Sequence, residues 1–370
     1  MQSQSLFLRP LKLKPARVRR NYSGGLLLEQ WQNKTDPRDG NMPENWVAST
    51  VDARNDDYVA NEGLSTVIIG SDTEIFLRDL INESPEEFLG KEHTLRHSTN
   101  LGILVKLIDS CIRLYIQVHP DWDFAKRFFN SDFGKTEAWY VLGGRRINGE
   151  EPYVYFGFKE GITKKIWKEL FEKQDIEGML NCLHRFSVKA GDVFLIESGM
   201  PHAIGAGCFV LEAQEPTDFT FRVERTSHEG RKLPDTFCHQ GIGFDNMLES
   251  FRYDGFSRDD ILKHFYLKPS VIESQNGGTK SSIIPDRYSD FFTMEELNVN
   301  KKFYMKKYEG FFIAVVISGQ GRIKWDGGEM RIEQSDELFF PAALNDFTWE
   351  SDDEKDLKVV LCYPPKFKEV

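Results

Sequence analysis

Cysteine is scarce in this chain. Cys111, Cys182, Cys208, Cys238 and Cys362 are all there are in 370 residues. None stands in a Cys-x-x-Cys pair, so neither a disulfide framework nor a cysteine zinc site is expected, and a reducing cytosol suits them. No apolar run approaches the roughly 18–20 residues of a membrane span. No charged segment followed by an apolar one marks a secretory signal. Basic residues are in deficit, 47 against 58 acidic, for a net charge of −11. That excludes the broad basic field on which non-specific nucleic-acid binding rests. An anionic metabolite would have to be held by locally placed Lys or Arg. The basic cluster Arg9, Lys12, Lys14, Arg17, Arg19 and Arg20 is broken by Pro10 and Pro15, which argues against an amphipathic transit helix there.

What is present points to β-structure. There are 29 Phe and few amphipathic helices. The length exceeds one average domain. Residues 5–31 read as extended, 33–45 as a loop, and 101–110 (LGILVKLIDS) as a dense apolar strand with Lys106 in its middle. A buried lysine needs a partner. Helical periodicity occupies about 160–185, interrupted at Gln174-Asp175. Residues 225–285 read as a polar connector with helical pieces near 243–250 and 257–266. From 290 onward the texture is again all-β. The expected organisation is a metal-binding catalytic domain at 1–240 with a small helical insertion, a connector at 241–285, and a second β lobe at 286–370.

The chemistry concentrates in QVHPDWDFAKRFFNSDFGKTEAWY, residues 117–140. Gln117 and His119 stand two apart, as do Lys135 and Glu137, so each pair shares one face of a strand. Adjacent strands at 115–119 and 135–141 would aim all four into one pocket. Imidazole, carboxylate and amide carbonyl are ordinary ligands of a divalent first-row metal. His202, in GDVFLIESGMPHAIGAG, supplies a third ligand of the right type. Glu212, Gln214, Asp218, Thr220 and Arg222 follow with even spacing and share a face on either side of a bend at Pro216. The other histidines fit blander roles. His93 and His97 read as exposed, His184 as a helix-terminal surface group, and His228 and His239 as non-catalytic.

SDELFFPAALNDFTW, near the C-terminus, mirrors GDVFLIESGMPHAIGA: an acidic turn, an apolar strand, a small-residue turn. No histidine follows residue 264, so the second copy is a lobe without metal ligands. A Gly-Asp turn, an apolar strand and a turn ending in His resemble the second signature of cupin barrels. More closely, the chain resembles type I mannose-6-phosphate isomerases (phosphomannose isomerases). The matching pieces are Glu44-x-Trp46, Lys106 in LVKLID, QVHPD with Ala125 beyond, Gly134-Lys135-Thr136-Glu137 with Trp139-Tyr140, and Gly199-Met200-Pro201-His202-Ala203. Glu212-Ala-Gln214 and Asp218-x-Thr220-x-Arg222 complete the set, which spans most of the N-terminal two-thirds. Three departures lie near the pocket: Tyr22-Ser23-Gly24-Gly25 in place of Trp-Gly-Gly, Tyr115 in place of a small hydroxyl residue, and Asp121-Trp122 in place of two acids.

That resemblance implies a mainly β fold of two cupin-like (jelly-roll) β-barrels and one Zn2+ per chain. The metal would be held by His119, Glu137 and His202, with Gln117 a fourth ligand in some members. It implies Arg222 and Lys135 as catalytic residues and places Lys106 and Glu212 beside the substrate. The implied activity is zinc-dependent interconversion of mannose 6-phosphate and fructose 6-phosphate; a cytoplasmic monomer or homodimer is expected. The alternatives are an isomerase of another phosphorylated hexose and a non-catalytic sugar-binding cupin.

Overall fold

The computed structural model describes residues 3–55, 57–70, 73–352 and 356–366. It is mainly β. Among the described residues the strands form four sheets of four, nine, seven and five strands. Buried clusters between them show that they stack in that order. Phe303, Phe312, Ile323, Phe340 and Trp349 fill the space between the four- and nine-stranded sheets. Ile313, Val315, Phe339 and Val360 of the nine-stranded sheet pack with Val105, Leu107, Tyr140 and Leu211 of the seven-stranded one. Trp139, Phe194 and Val210 of the seven-stranded sheet meet Val154, Phe156 and Ile204 of the five-stranded one.

The seven-stranded sheet is covered on both faces, which accounts for its near-continuous apolar runs. Its inner strands are Val193–Ile196, Glu137–Gly144, Cys208–Gln214 and Leu104–Asp109, all antiparallel, with Glu44–Val47 beyond. Period-2 alternation sorts each strand. Val105, Leu107, Ala138, Tyr140, Leu211 and Ala213 face the nine-stranded sheet. Lys106, Glu137, Trp139 and Glu212 take the other face. Register lines Trp46, Lys106, Glu212, Trp139 and Phe194 in one row across the sheet. A lysine and a glutamate in the middle of a covered sheet are the anomaly around which the site forms.

The two halves of the sequence repeat carry the same device. Asp192 Oδ2 accepts the Lys189 amide at 2.9 Å, and Asp336 Oδ2 accepts the Glu333 amide at 2.9 Å. Each turn needs a left-handed residue just before its aspartate: Gly191 at φ 92°, Ser335 at φ 74°. Each then feeds a buried strand, Val193–Ile196 or Glu337–Phe340.

Several local expectations are corrected. Leu26–Trp31 is a helix, not an extended segment, and its start is held by the Asp109 carboxylate, which accepts from the Gly25, Leu27 and Leu28 amides. Within the connector, Ser270–Gln275 and Gly278–Ile284 are strands of the nine-stranded sheet. The first of these is an exposed edge strand, so no apolar alternation announces it. The N-terminal strand Leu11–Lys14 pairs with Glu337–Phe340, so N-terminal residues share one sheet with strands from residues 270–363. The helices Lys164–Lys173 and Ile176–Asn181 lie where periodicity put them, capped by Thr163 and Asp175. His93 is buried, with Nε2 on the Asn100 carbonyl at 2.8 Å, rather than exposed. His184 is a buried strand residue whose Nε2 meets the Phe256 carbonyl at 2.9 Å.

Candidate metal centre and its chamber

Two facing sheets build the site. The strands at 117 and 137 are not neighbours in one sheet, as the spacing suggested. Gln117–Val118 belongs to the five-stranded sheet and Glu137–Gly144 to the seven-stranded one. In the five-stranded sheet, register sets Arg222, Gln117, His202 and Phe156 in a row. Glu137, Lys106 and Glu212 approach from the opposite sheet. Convergence therefore comes from sheet-on-sheet packing, which residue spacing cannot reveal.

His119, Glu137 and His202 are buried, and their ligand atoms lie within 4.8 Å of one another. His119 Nε2 is 3.1 Å from Glu137 Oε2, and His202 Nε2 is 3.3 Å from Glu137 Oε1. His202 Nδ1 donates to the Met200 carbonyl at 2.8 Å, which leaves Nε2 with its lone pair toward the carboxylate. Gln117 Nε2 is 3.1 Å from His202 Nε2, so the fourth expected ligand is also at hand.

The group fits a divalent cation on three counts. Its donors are two imidazole nitrogens and a carboxylate, a zinc-type set. Neither Glu137 oxygen accepts a hydrogen bond, although both are buried. The Lys135 ammonium stands in for a cation, 2.8 Å from His119 Nε2 and 3.1 Å from Glu137 Oε2. Burial, and then Lys135, lower the His119 pKa to about 3, so the ring is neutral near pH 7, with one nitrogen carrying a proton and the other a lone pair. Burial acts to raise Glu137, but Lys135, His119 and His202 outweigh it and hold the carboxylate ionised.

Beside the triad lies a narrow inner chamber of about 40 Å³, lined by Gln117, Lys135, Lys106, Glu212, Asp218, Thr220 and Arg222, with Arg20, Tyr22, Glu44 and Tyr115. Lys106 is buried under the Trp46 ring at 5.0 Å, with Nζ 3.4 Å from Glu212 Oε1. Burial pulls its pKa down, but Glu212 and Glu44 outweigh it and keep the ammonium charged. Glu212 is raised by burial and by Glu137, and accepts from Trp139 Nε1 at 3.0 Å. Lys135 is lowered, first by burial. Arg222 is lowered to about 10 by burial. Its guanidinium donates to the Phe237 carbonyl at 3.1 Å and lies 4.1 Å over that ring. Neither Glu212 nor Glu224 pairs with it; Glu224 is taken by Arg113 at 2.6 Å and by the Ile116 amide.

Residues that spacing alone did not single out complete the chamber wall. Arg20 is buried between Glu44 at 3.0 Å and Asp218 at 3.1 Å. Tyr22 donates to Glu44 at 2.7 Å. Burial would raise Asp218, but Arg20 and then Lys106 hold it well below the usual carboxylate range. The pairing with Asp218 spans 198 residues of sequence, so only the fold brings these charges together. His228, assigned no role from sequence, stacks on Tyr115 at 5.0 Å and lines the outer mouth of the site.

The mainly β fold thus brings together a buried His–Glu–His group whose donors could hold a cation. The family model described as "Mannose-6-phosphate isomerase, cupin domain" matches residues 286–355. The Bacillus subtilis (strain 168) protein named "Probable mannose-6-phosphate isomerase GmuF" is 30% identical over 251 residues, 67% of this chain and 71% of its own length. The crystal structure of mannose 6-phosphate isomerase from Bacillus subtilis superposes with a TM-score of 0.74 at 24% identity, covering 96% of this chain and 99% of that one. A zinc-bound holo mannose 6-phosphate isomerase superposes with a TM-score of 0.71 at 13% identity, covering 96% and 100%. The chain belongs to the mannose-6-phosphate isomerase family, whose members are intramolecular oxidoreductases of sugars.

Proposed function

We propose that the protein is a zinc-dependent aldose–ketose isomerase interconverting mannose 6-phosphate and fructose 6-phosphate. One observation carries this reading: a His119–Glu137–His202 cation site opens beside a chamber walled by Lys106, Lys135, Glu212 and Arg222. The names of the relatives and the zinc in a structural neighbour support it. The two histidines would hold zinc through Nε2 and Glu137 through its carboxylate, with Gln117 as a fourth ligand. Bound there, zinc would supply a fixed positive charge that polarises the sugar carbonyl.

The rest falls to the chain's own groups. Moving a proton between C1 and C2 builds negative charge on the neighbouring oxygens. Lys106, kept as an ammonium by Glu212, faces that charge from one sheet, and Arg222 from the other. Lys135 and Glu212 line the chamber with exchangeable protons and are the groups placed to carry one. Trp46, Trp139 and Tyr115 exclude water around them.

We extend the reading to organisation. The five- and seven-stranded sheets would form one cupin-like barrel and the four- and nine-stranded sheets a second. The units would be 1–240 with the helical insertion, the connector 241–285, and 286–370, with strands from the first unit and the connector completing the nine-stranded sheet. The cysteines, none bridged among the described residues, suit a reducing cytoplasm, and we take the protein to be a monomer or homodimer with one zinc per chain. No helix among the described residues is long and apolar enough to cross a membrane.

Metal analysis combined with a coupled isomerase assay tests the function. His119→Ala should lose zinc and turnover together. Arg222→Ala should lose turnover and keep zinc. Stoichiometric zinc in the wild type without turnover of any hexose phosphate would leave a sugar-binding cupin instead.

A further inference from the structure

Lys135 reaches the metal centre from irregular backbone. Residues 133–136 belong to no helix or strand, and the strand Glu137–Gly144 begins just after them. Glu137 is fixed by that strand, through its pairing with Ile196 on one side and Gln214 on the other. Lys135, two residues earlier, lies outside the ladder. Its ammonium nevertheless takes a defined place, 2.8 Å from His119 Nε2 and 3.1 Å from Glu137 Oε2. Gly134, Lys135 and Thr136 are buried, so their backbone groups need partners that a sheet does not supply.

One acidic residue supplies most of them. The Glu215 carboxylate spans the segment: Oε1 accepts from the Gly134 amide at 3.0 Å and Oε2 from the Thr136 amide at 2.8 Å. The Glu215 amide donates in turn to the Thr136 carbonyl at 3.1 Å. Thr217, two residues on, donates its hydroxyl to the Gly134 carbonyl at 2.7 Å. The Lys135 amide donates instead to the Pro120 carbonyl at 3.0 Å, next to His119. The segment is pressed against that turn, since a Cβ on Gly134 would lie 2.7 Å from the Pro120 oxygen. The clamp is itself braced. Pro216 favours extended backbone at Glu215. Gln214 Nε2 donates to the Glu215 and Thr217 carbonyls at 2.9 and 2.6 Å.

Glu215 is costly to keep. It is 2% exposed, and amides rather than a cation answer its charge. Burial raises its pKa to about 7, against the Thr136 and Gly134 amides, which act to lower it. It lies outside the lining of the inner chamber, so contact with a substrate is not its role. Its two acceptors match two amide donors. A carboxylate supplies that pattern, and a carboxamide, with one acceptor oxygen and one donor group, does not.

Resting on the reading of Lys135 as a proton-carrying group of an isomerase, we propose that Glu215 is a positioning residue. With Thr217 it clamps Gly134–Thr136 and thereby fixes the Lys135 ammonium against the metal centre. Glu137, held by its own ladder, does not depend on it.

The test is Glu215→Gln in the full, zinc-loaded chain, which keeps the side-chain volume but turns an NH2 group toward one of the two amides. Turnover of mannose 6-phosphate should lose about 10- to 100-fold in kcat with KM within about threefold, as expected of a displaced reacting group. Zinc content should match the wild type. Amide hydrogen exchange, read by NMR, should quicken about tenfold or more at Gly134 and Thr136 and stay unchanged at Ala138–Val141. Thr217→Val leaves the carboxylate in place and should lower kcat by about three- to tenfold, which keeps the clamp testable should Glu215→Gln not fold. A lower melting temperature with kcat per folded molecule unchanged would mean a merely structural role and overturn the proposal. Loss of zinc from Glu215→Gln would place the effect on Glu137 and overturn it as well. Faster exchange at those two amides in a protein whose wild type isomerises nothing would uphold the clamp and defeat the isomerase reading instead.

Discussion

Glu337 is a buried carboxyl, 1% exposed, on the strand that pairs with the N-terminal strand Leu11–Lys14. Its Oε1 accepts from Asn45 Nδ2 at 2.7 Å, a contact spanning 292 residues, and its Oε2 has no partner. Burial pushes its pKa up from 4.5 to about 8, against the smaller opposing effect of Asn45. The folded protein therefore keeps this proton across a range where the unfolded chain has lost it. Its contribution to stability is fully present below about pH 4.5 and declines as pH rises toward about 8. The slope is at most about 1.4 kcal/mol per pH unit, so pH 5.5 to 7.5 should cost up to roughly 2.7 kcal/mol. Glu337→Gln keeps an acceptor for Asn45 and removes the titration. Urea unfolding of both proteins at the two pH values isolates the effect, because other titrations cancel in the difference. The variant should gain on the wild type by about 1–3 kcal/mol as pH rises. Parallel pH dependence in the two proteins would refute a neutral, buried Glu337 beside Asn45.

Other outcomes follow from the same structure. Lys106→Met strips Glu212 of its buried partner and should destabilise the fold by about 3–5 kcal/mol in urea unfolding, besides abolishing turnover; a cost under about 1 kcal/mol would mean that Glu212 is satisfied elsewhere. Gly191→Ala places a Cβ at φ 92° in open space, so the cost, about 1–2 kcal/mol, is purely backbone strain. Ser335→Gly, at the equivalent turn, removes such strain at some entropic cost and should change stability by less than about 1 kcal/mol in either direction.

What the sequence displayed was local chemistry. Lys106 stood out as one charge in an apolar run, and it is buried opposite Glu212 on the adjacent strand. The Gly191-Asp192 turn and its echo at Ser335-Asp336 were visible because a short-range hydrogen bond fixes their residue types. The His119, Glu137 and His202 side chains do converge, but across facing sheets rather than between adjacent strands. Spacing reports which face a side chain takes and is silent on which sheet lies opposite. The same limit hid the Arg20–Asp218 and Asn45–Glu337 contacts, whose partners are far apart in sequence. His93 and His184 look like surface groups in the sequence because their partners are backbone carbonyls, which leave no mark in residue type. Ser270–Gln275 resembles connector in sequence because this exposed edge strand shows no apolar face.

The central claim is a metal held by His119, Glu137 and His202, and zinc-edge X-ray absorption of the loaded protein addresses it directly. The wild type should show two imidazole nitrogens at about 2.0–2.1 Å together with oxygen donors. His202→Ala should lose one imidazole or the metal altogether, while Arg222→Ala should leave the spectrum unchanged. A wild-type spectrum without imidazole, or one that His202→Ala does not alter, would contradict the account.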